Sequence, residues 1–185
     1  MIAEARLVVT APIVRRLPSH NCWFGRPYGP PIAFVLHTQS GGESGTVAEW
    51  LTSSSNLSAH YRAGLEGSLE CWIDPADRAW GNGIVEPGNR WGAIARDCGI
   101  DPALNPNHVT VSCETEDLGN AEQPVTDLQY QALLYAGLEA KQRYPDSLRY
   151  LVRHADISPQ SRPCCPGGRW LSSGRFEALA RALEL

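Results

Sequence analysis

Ile32-Ala33-Phe34-Val35-Leu36-His37 is the stretch that decides the fold. It is short, continuously apolar and rich in β-branched and aromatic side chains, so it reads as a buried strand that ends on a histidine. Gly41-Gly42 stops it. Downstream, Thr46 to Leu51 reads as a short helix with Val47, Trp50 and Leu51 on one face, and Ser44 or Thr46 as its N-cap. Upstream, Pro18 to Pro31 is rich in proline and glycine and reads as a loop. Residues 1–30 together read as an irregular N-terminal extension packed on a domain that spans 31–185.

Farther out, Ser58–Ala63 and Ser68–Ile73 flank Gly64-Leu65-Glu66-Gly67, the signature of a hairpin. Asp74 to Pro106 reads as a long loop, and a loop of that length in a small domain is functional or hides a short helix. His108 to Thr115 alternates as a strand, with Val109, Val111 and Cys113 on one face and Thr110, Ser112 and Glu114 on the other. Thr126 to Tyr144 has helical spacing, with Thr126 as cap and Pro145 after its end. Leu148 to Val152 is a short strand that leads into His154, and Arg175 to Leu185 is an amphipathic helix. Strands mixed with helices predict an α/β fold with a single central mixed β-sheet flanked by helices.

Composition narrows the function. The 185 residues are 43% hydrophobic and 19% charged, an ordinary globular balance for one domain. The net charge of −4 argues against a nucleic-acid partner. No apolar run reaches the ~18–20 residues of a membrane span. Met1 to Arg6 lacks the basic and apolar regions of a secretory signal, which predicts a chain made in the cytoplasm. The six cysteines match no small disulfide scaffold and read as free thiols or small buried hydrophobes, Cys164 and Cys165 excepted.

His37 and His154 both stand at the ends of strand-like runs. If those strands are neighbours, both imidazoles emerge at one edge of the sheet. Cys164 and Cys165 follow His154 at ten and eleven residues. Two histidines and one thiolate make a three-ligand zinc set that leaves a fourth position for water. The plainer reading is that each histidine is a hydrogen-bonded polar residue at a strand end.

The local sequences add to this. Phe34-Val35-Leu36-His37-Thr38-Gln39-Ser40-Gly41-Gly42 resembles the strand that carries the first zinc ligand in the zinc-dependent N-acetylmuramoyl-L-alanine amidases (amidase type 2). That superfamily includes phage lysozymes of the T7 type and the peptidoglycan recognition proteins. Leu57-Ser58-Ala59-His60-Tyr61, the segment from Gly67 to Trp80, Val109 to Glu114, and His154-Ala155-Asp156-Ile157-Ser158-Pro159 with Cys165-Pro166-Gly167 resemble its later segments in order.

The resemblance implies a zinc ion (Zn2+) held by His37, His154 and a cysteine, with the site at one edge of the sheet. It implies hydrolysis of the amide between N-acetylmuramic acid and L-alanine in peptidoglycan, with the glycan strand and stem peptide as partner. Glu114 matches a glutamate that moves the proton in some members. Members that use cysteine have it directly before Pro-Gly, which selects Cys165; counting from His154 by analogy with aspartate-type members selects Cys164. Many hydrolytic members carry a lysine two residues before the third ligand; here that position is Pro163 or Arg162. A tyrosine that serves some members falls at Ala59, and Tyr61 is the candidate to replace it. A histidine often follows the tryptophan matching Trp80, where this chain has Gly81.

Beside these, His60 reads as a structural histidine, and His20 and His108 as surface or loop residues. Asp156 caps a turn or supports the ligand, and Trp80 and Trp91 stack on sugars or anchor their loop. Three further readings compete: a non-catalytic peptidoglycan-binding module, a cytoplasmic amidase that recycles anhydro-muropeptides, and a structural zinc site closed by the second cysteine or His60. The compact chain without a signal points to a phage or prophage endolysin, which reaches the wall after release through a membrane lesion.

Overall fold

A computed structural model describes residues 13–15, 19–39, 43–52, 54–120 and 123–185. The decisive stretch forms β3 (Ala33–Gln39), whose first five residues are all buried. It is buried because neighbours cover it on both sides: β7 (Thr110–Glu116) and β8 (Tyr150–Arg153) both pair with it in parallel. A parallel strand covered on both faces reads as a continuous apolar run rather than an alternation. Beyond β7 the sheet continues through β4 (Tyr61–Ala63) and β5 (Leu69–Cys71) to β1 (Val14–Arg15). Only β4 and β5 pair antiparallel within this six-stranded sheet, so it is mixed, as the sequence predicts.

Gly64 to Gly67 closes the β4–β5 hairpin, where the Gly64 N–H donates to the Ser68 carbonyl. Gly67 has φ +83°, and a Cβ there would lie 2.9 Å from Leu128 Cβ, so both conformation and space call for glycine. A separate two-stranded ladder joins β2 (Cys22–Trp23) to β6 (Arg78–Ala79). Part of the first thirty residues is therefore woven into two sheets, through β1 and β2.

Helices cover both faces. On one, α3 (Asp127–Arg143), α5 (Gly168–Ser172) and α6 (Arg175–Leu183) bury Leu133, Ala136, Trp170, Leu179 and Leu183 against Phe34, Leu36, Val111 and Cys113. The Thr126 hydroxyl caps α3 by accepting from the Gln129 N–H, as predicted. On the other face, α2 (Trp91–Asp97) and α4 (His154–Ile157) pack Trp91, Ala95 and Ile157 against Ala33, Val35 and Val152. A small third cluster joins Trp50 of α1 (Glu43–Leu51) to Ala59 and Trp72.

Several boundaries differ from the sequence reading. Helix α1 begins at Glu43, so Ser44 and Thr46 lie inside it rather than at the position before it. The Gly41-Gly42 stop and the Met1–Arg6 segment lie outside the described residues. The long loop holds β6 and α2. The Asn89 Oδ1 accepts from the Gly92 N–H at 2.9 Å at the start of α2, so an asparagine start signal is present but lies among other loop-like residues. Val109 does not share a face with Val111 and Cys113. It ends a 3-10 turn, Pro106–Val109, in which the Asn105 side chain accepts from the Asn107 N–H, and it packs with Ile32 and Val35 instead. All six cysteines are free. No helix among the described residues is long and apolar enough to cross a membrane.

Candidate metal centre

Parity along β3 places His37 on the same face as Ala33 and Val35, away from the α3 side. The β3–β8 register ends with Leu36 opposite Arg153, so His37, next on β3, lies beside His154, which opens α4 directly after β8. Their rings meet with centroids 4.4 Å apart. The third element is the loop after α4. Its Cys165 carbonyl accepts from the Ala155 N–H at 3.1 Å, and its Cys165 Sγ accepts from the Thr38 N–H at 3.4 Å. These two bonds bring the thiol over the end of β3.

His37, His154 and Cys165 are all buried, and each offers a donor atom within 4.8 Å of the other two. Such a group can hold a metal ion. Cys164 is exposed and borders the same cavity without joining the group. Burial and the neighbouring His154 drive the His37 pKa well below its usual value. Burial and Arg162 bring His154 to about 4. Both imidazoles are therefore neutral at pH 7, the form in which histidine ligates metals. Burial and the Glu114 charge push the Cys165 thiol up to about 12. A coordinated metal cation reverses that last effect by stabilising the thiolate.

Glu114 stands opposite His37 in the β3–β7 register. Its Oε1 is 3.7 Å from His37 Nδ1, and its Oε2 is buried with no hydrogen-bond partner among the described residues. Burial pushes its pKa up to about 8, with Arg162 acting the other way. All of these groups line one cavity of about 550 Å³, open between the Thr46–Trp50 helix face and the loop from Ser161 to Cys165. With Cys165 in the metal group, the position two residues earlier is Pro163, which borders the cavity without a donor. Arg162 supplies the positive charge there.

Tyr61 is not brought to this site. It is fully buried on the opposite face of the sheet, among Ala63, Leu69 and Cys113, and its hydroxyl donates to Glu139 of α3. A strand flips its side chains from residue to residue, so Tyr61 shares a face with the α3 core while Arg62 opposes Glu114. His60 is a structural histidine: its Nδ1 accepts from the Ser112 N–H at 3.0 Å and its Nε2 faces the Asp77 carbonyl at 3.3 Å. Trp91 is wholly buried and anchors its segment to the core. Trp80 is half-buried and packs on Trp23, with ring centroids 5.3 Å apart. His20 is exposed, and His108 joins a surface aromatic group with Trp23 and Tyr28. Asp156 turns to Arg153, accepting from its N–H at 3.1 Å and from its guanidinium at 2.6 Å, and so caps the turn after β8.

Sequence reasoning missed Asn82. It is buried in the segment after β6, and its Oδ1 accepts from His37 Nε2 at 2.8 Å. A buried asparagine between two glycines, Gly81 and Gly83, was the available signal.

A family model described as N-acetylmuramoyl-L-alanine amidase matches residues 27–168. Among solved structures, a selenomethionine derivative of AmpD superposes with a TM-score of 0.68 at 23% identity, covering 90% of this chain and 93% of that one. The N-acetylmuramoyl-L-alanine amidase LysC from Clostridium intestinale URNW gives 0.62 at 18% identity, covering 95% and 99%. The amidase AmiD from E. coli, in complex with anhydro-N-acetylmuramic acid-L-Ala-D-gamma-Glu-L-Lys, gives 0.53 at 20% identity, covering 72% and 52%. These likenesses are likenesses of fold. Comparison with curated proteins gives no match.

Proposed function

The chain belongs to the N-acetylmuramoyl-L-alanine amidase family, and on that premise we propose that it is a zinc-dependent hydrolase of the amide joining N-acetylmuramic acid to L-alanine in peptidoglycan. The observation that carries this reading is the convergence of the His37, His154 and Cys165 donor atoms beside the Glu114 carboxyl in the wall of one cavity. The donor set suits zinc: two neutral imidazoles and one thiol, buried, with no fourth protein donor in the group among the described residues. Bound there, zinc supplies a Lewis acid that acidifies water and polarises the scissile carbonyl.

The chain's own residues do the rest. Once ionised, which a metal cation bound beside it would favour against the burial that lifts its pKa to about 8, the Glu114 carboxylate would accept the proton of the attacking water and return it to the leaving L-alanine nitrogen. Arg162, on the cavity rim, supplies a positive charge of the kind that would attract the carboxylates of a stem peptide.

We assign the catalytic domain to residues 31–185, with 1–30 as an extension packed on it; the β1–β5 and β2–β6 pairings support that packing. The biological role we propose is that of a phage or prophage endolysin, acting on the wall after release through a membrane lesion. A cytoplasmic recycling amidase would cut soluble anhydro-muropeptides faster than intact sacculi, and the reverse preference supports the endolysin.

Mass spectrometry of peptidoglycan after incubation, with and without a chelator, tests the activity. Stem peptides beginning at L-alanine, lost on chelation and restored by zinc, are expected. Intact peptidoglycan that pulls the protein down would overturn the hydrolase in favour of a binding module.

A further inference from the structure

The site contains a chain of hydrogen bonds whose direction is set by the bond from Thr110 to Pro106. The Thr110 hydroxyl donates its one hydrogen to the Pro106 carbonyl at 2.8 Å. Toward Asn82 it can then only accept, so the Asn82 group that faces it is the amide nitrogen. That places Oδ1 of Asn82 on His37 Nε2, at 2.8 Å. A carbonyl oxygen has no hydrogen to give, so His37 must donate from Nε2, and its lone pair is left on Nδ1. Nδ1 is the nitrogen that lies 3.7 Å from Glu114.

The segment after Asn82 runs against the second histidine. Gly83, at φ +63°, keeps the chain close: a Cβ there would lie 3.7 Å from His154 Nε2. Asn82 is itself held, its N–H donating to Asn107 Oδ1 at 2.8 Å. Its backbone anchor and its side-chain pin both come from the Pro106–Thr110 segment.

We propose that Asn82 is the positioning residue of the metal centre: its side chain fixes the tautomer of His37, so that the free nitrogen of that ring is presented before any metal arrives. This rests on the zinc reading for its purpose, but the tautomer is a property of the chain alone. Partners on the far nitrogen of a metal-binding histidine set ring orientation and ligand basicity, and losing one costs about 10–100-fold in affinity.

The test uses the full chain and three variants: Asn82→Leu, which removes the acceptor; Asn82→Asp, which keeps it; and Thr110→Val, which frees the amide to turn. Long-range proton–nitrogen correlation spectra of the zinc-free proteins report which ring nitrogen of His37 carries hydrogen. Competition with a chromogenic chelator reports zinc affinity. We expect hydrogen on Nε2 in the wild type and in N82D, and a mixture of tautomers in T110V. N82L should bind zinc about 10–100-fold more weakly, and N82D within a few-fold of the wild type.

Hydrogen on Nδ1 of His37 in the wild type would overturn the proposal, as would wild-type zinc affinity in N82L. Should N82L fail to fold, T110V with a single wild-type tautomer and unchanged affinity would overturn it as well. A wild type that holds Nε2–H yet binds no zinc would sink the zinc reading and leave the tautomer assignment standing.

Discussion

His37 on β3 and Glu114 on β7 are register partners on neighbouring parallel strands, and their side chains meet on one sheet face with Nδ1 3.7 Å from Oε1. The pairing sets a donor of the metal group and an ionisable carboxyl side by side with no loop between them, so neither can drift from the other without breaking the sheet. Replacing Glu114 by Gln keeps the shape and removes the proton acceptor. Turnover is expected to fall by ~10²-fold or more, the scale of a lost acid–base group. Zinc content, read by atomic emission, should stay at the wild-type level. Wild-type turnover in Glu114→Gln would remove the residue from the mechanism.

The adjacent cysteines should separate cleanly. Cys165 is buried and its sulfur accepts from the Thr38 N–H, whereas Cys164 is exposed. Cys165→Ser is expected to lose both bound zinc and activity, and Cys164→Ser to keep both. The same pair predicts a difference in stability. A ligand that binds only the folded state adds about 2.7 kcal/mol at a concentration 100 times its Kd. Zinc should therefore raise the Tm of the wild type and of Cys164→Ser, and leave Cys165→Ser unmoved. Zinc retention in Cys165→Ser with loss in Cys164→Ser would exchange their roles.

What the sequence made legible follows from where the information is local. The apolar run ending at His37 and the run leading to His154 declare themselves as strands, and their adjacency in the sheet then makes the histidines neighbours. Cys165 was readable from its place before Pro166-Gly167. Tyr61 was misread because the Tyr61-Arg62-Ala63 alternation does not say which face meets the site: all three residues are buried, Arg62 on the Glu114 side and Tyr61 on the α3 side. Val109 misled because Pro106 and the Asn105 cap wind the chain into a 3-10 turn just before the ladder begins. Asn82 was invisible because its importance lies in contacts 25, 28 and 45 residues away, which no spacing rule encodes.

Tyr61 yields a prediction that sets its two possible roles against each other. Its hydroxyl donates to Glu139, which also pairs with Arg15 and Arg143. Tyr61→Phe removes one donor from a carboxylate that keeps two cationic partners. The cost should be about 1.5–3 kcal/mol of unfolding free energy, the range for a hydrogen bond to a charged group. The kcat on peptidoglycan fragments should not change. A large drop in kcat with normal stability would return Tyr61 to the catalytic face.

Acid should unfold the zinc-free chain partly through His60. Burial, with Arg26 nearby, drives its pKa down to about 3 from the ordinary 6.5. Between those values the unfolded chain binds a proton that the folded chain refuses. Stability therefore rises with pH through this window, and the contribution is lost as pH falls from about 6.5 to about 3. The steepest slope from a single group is about 1.4 kcal/mol per pH unit. His37 and His154 titrate in the same direction, so the wild-type curve contains all three. His60→Gln isolates the one. Urea denaturation of zinc-free wild type and variant, followed across this window, should give curves that converge as the pH falls, their slopes differing by up to one proton. Parallel curves would mean that His60 is protonated as readily in the folded chain as in the unfolded one.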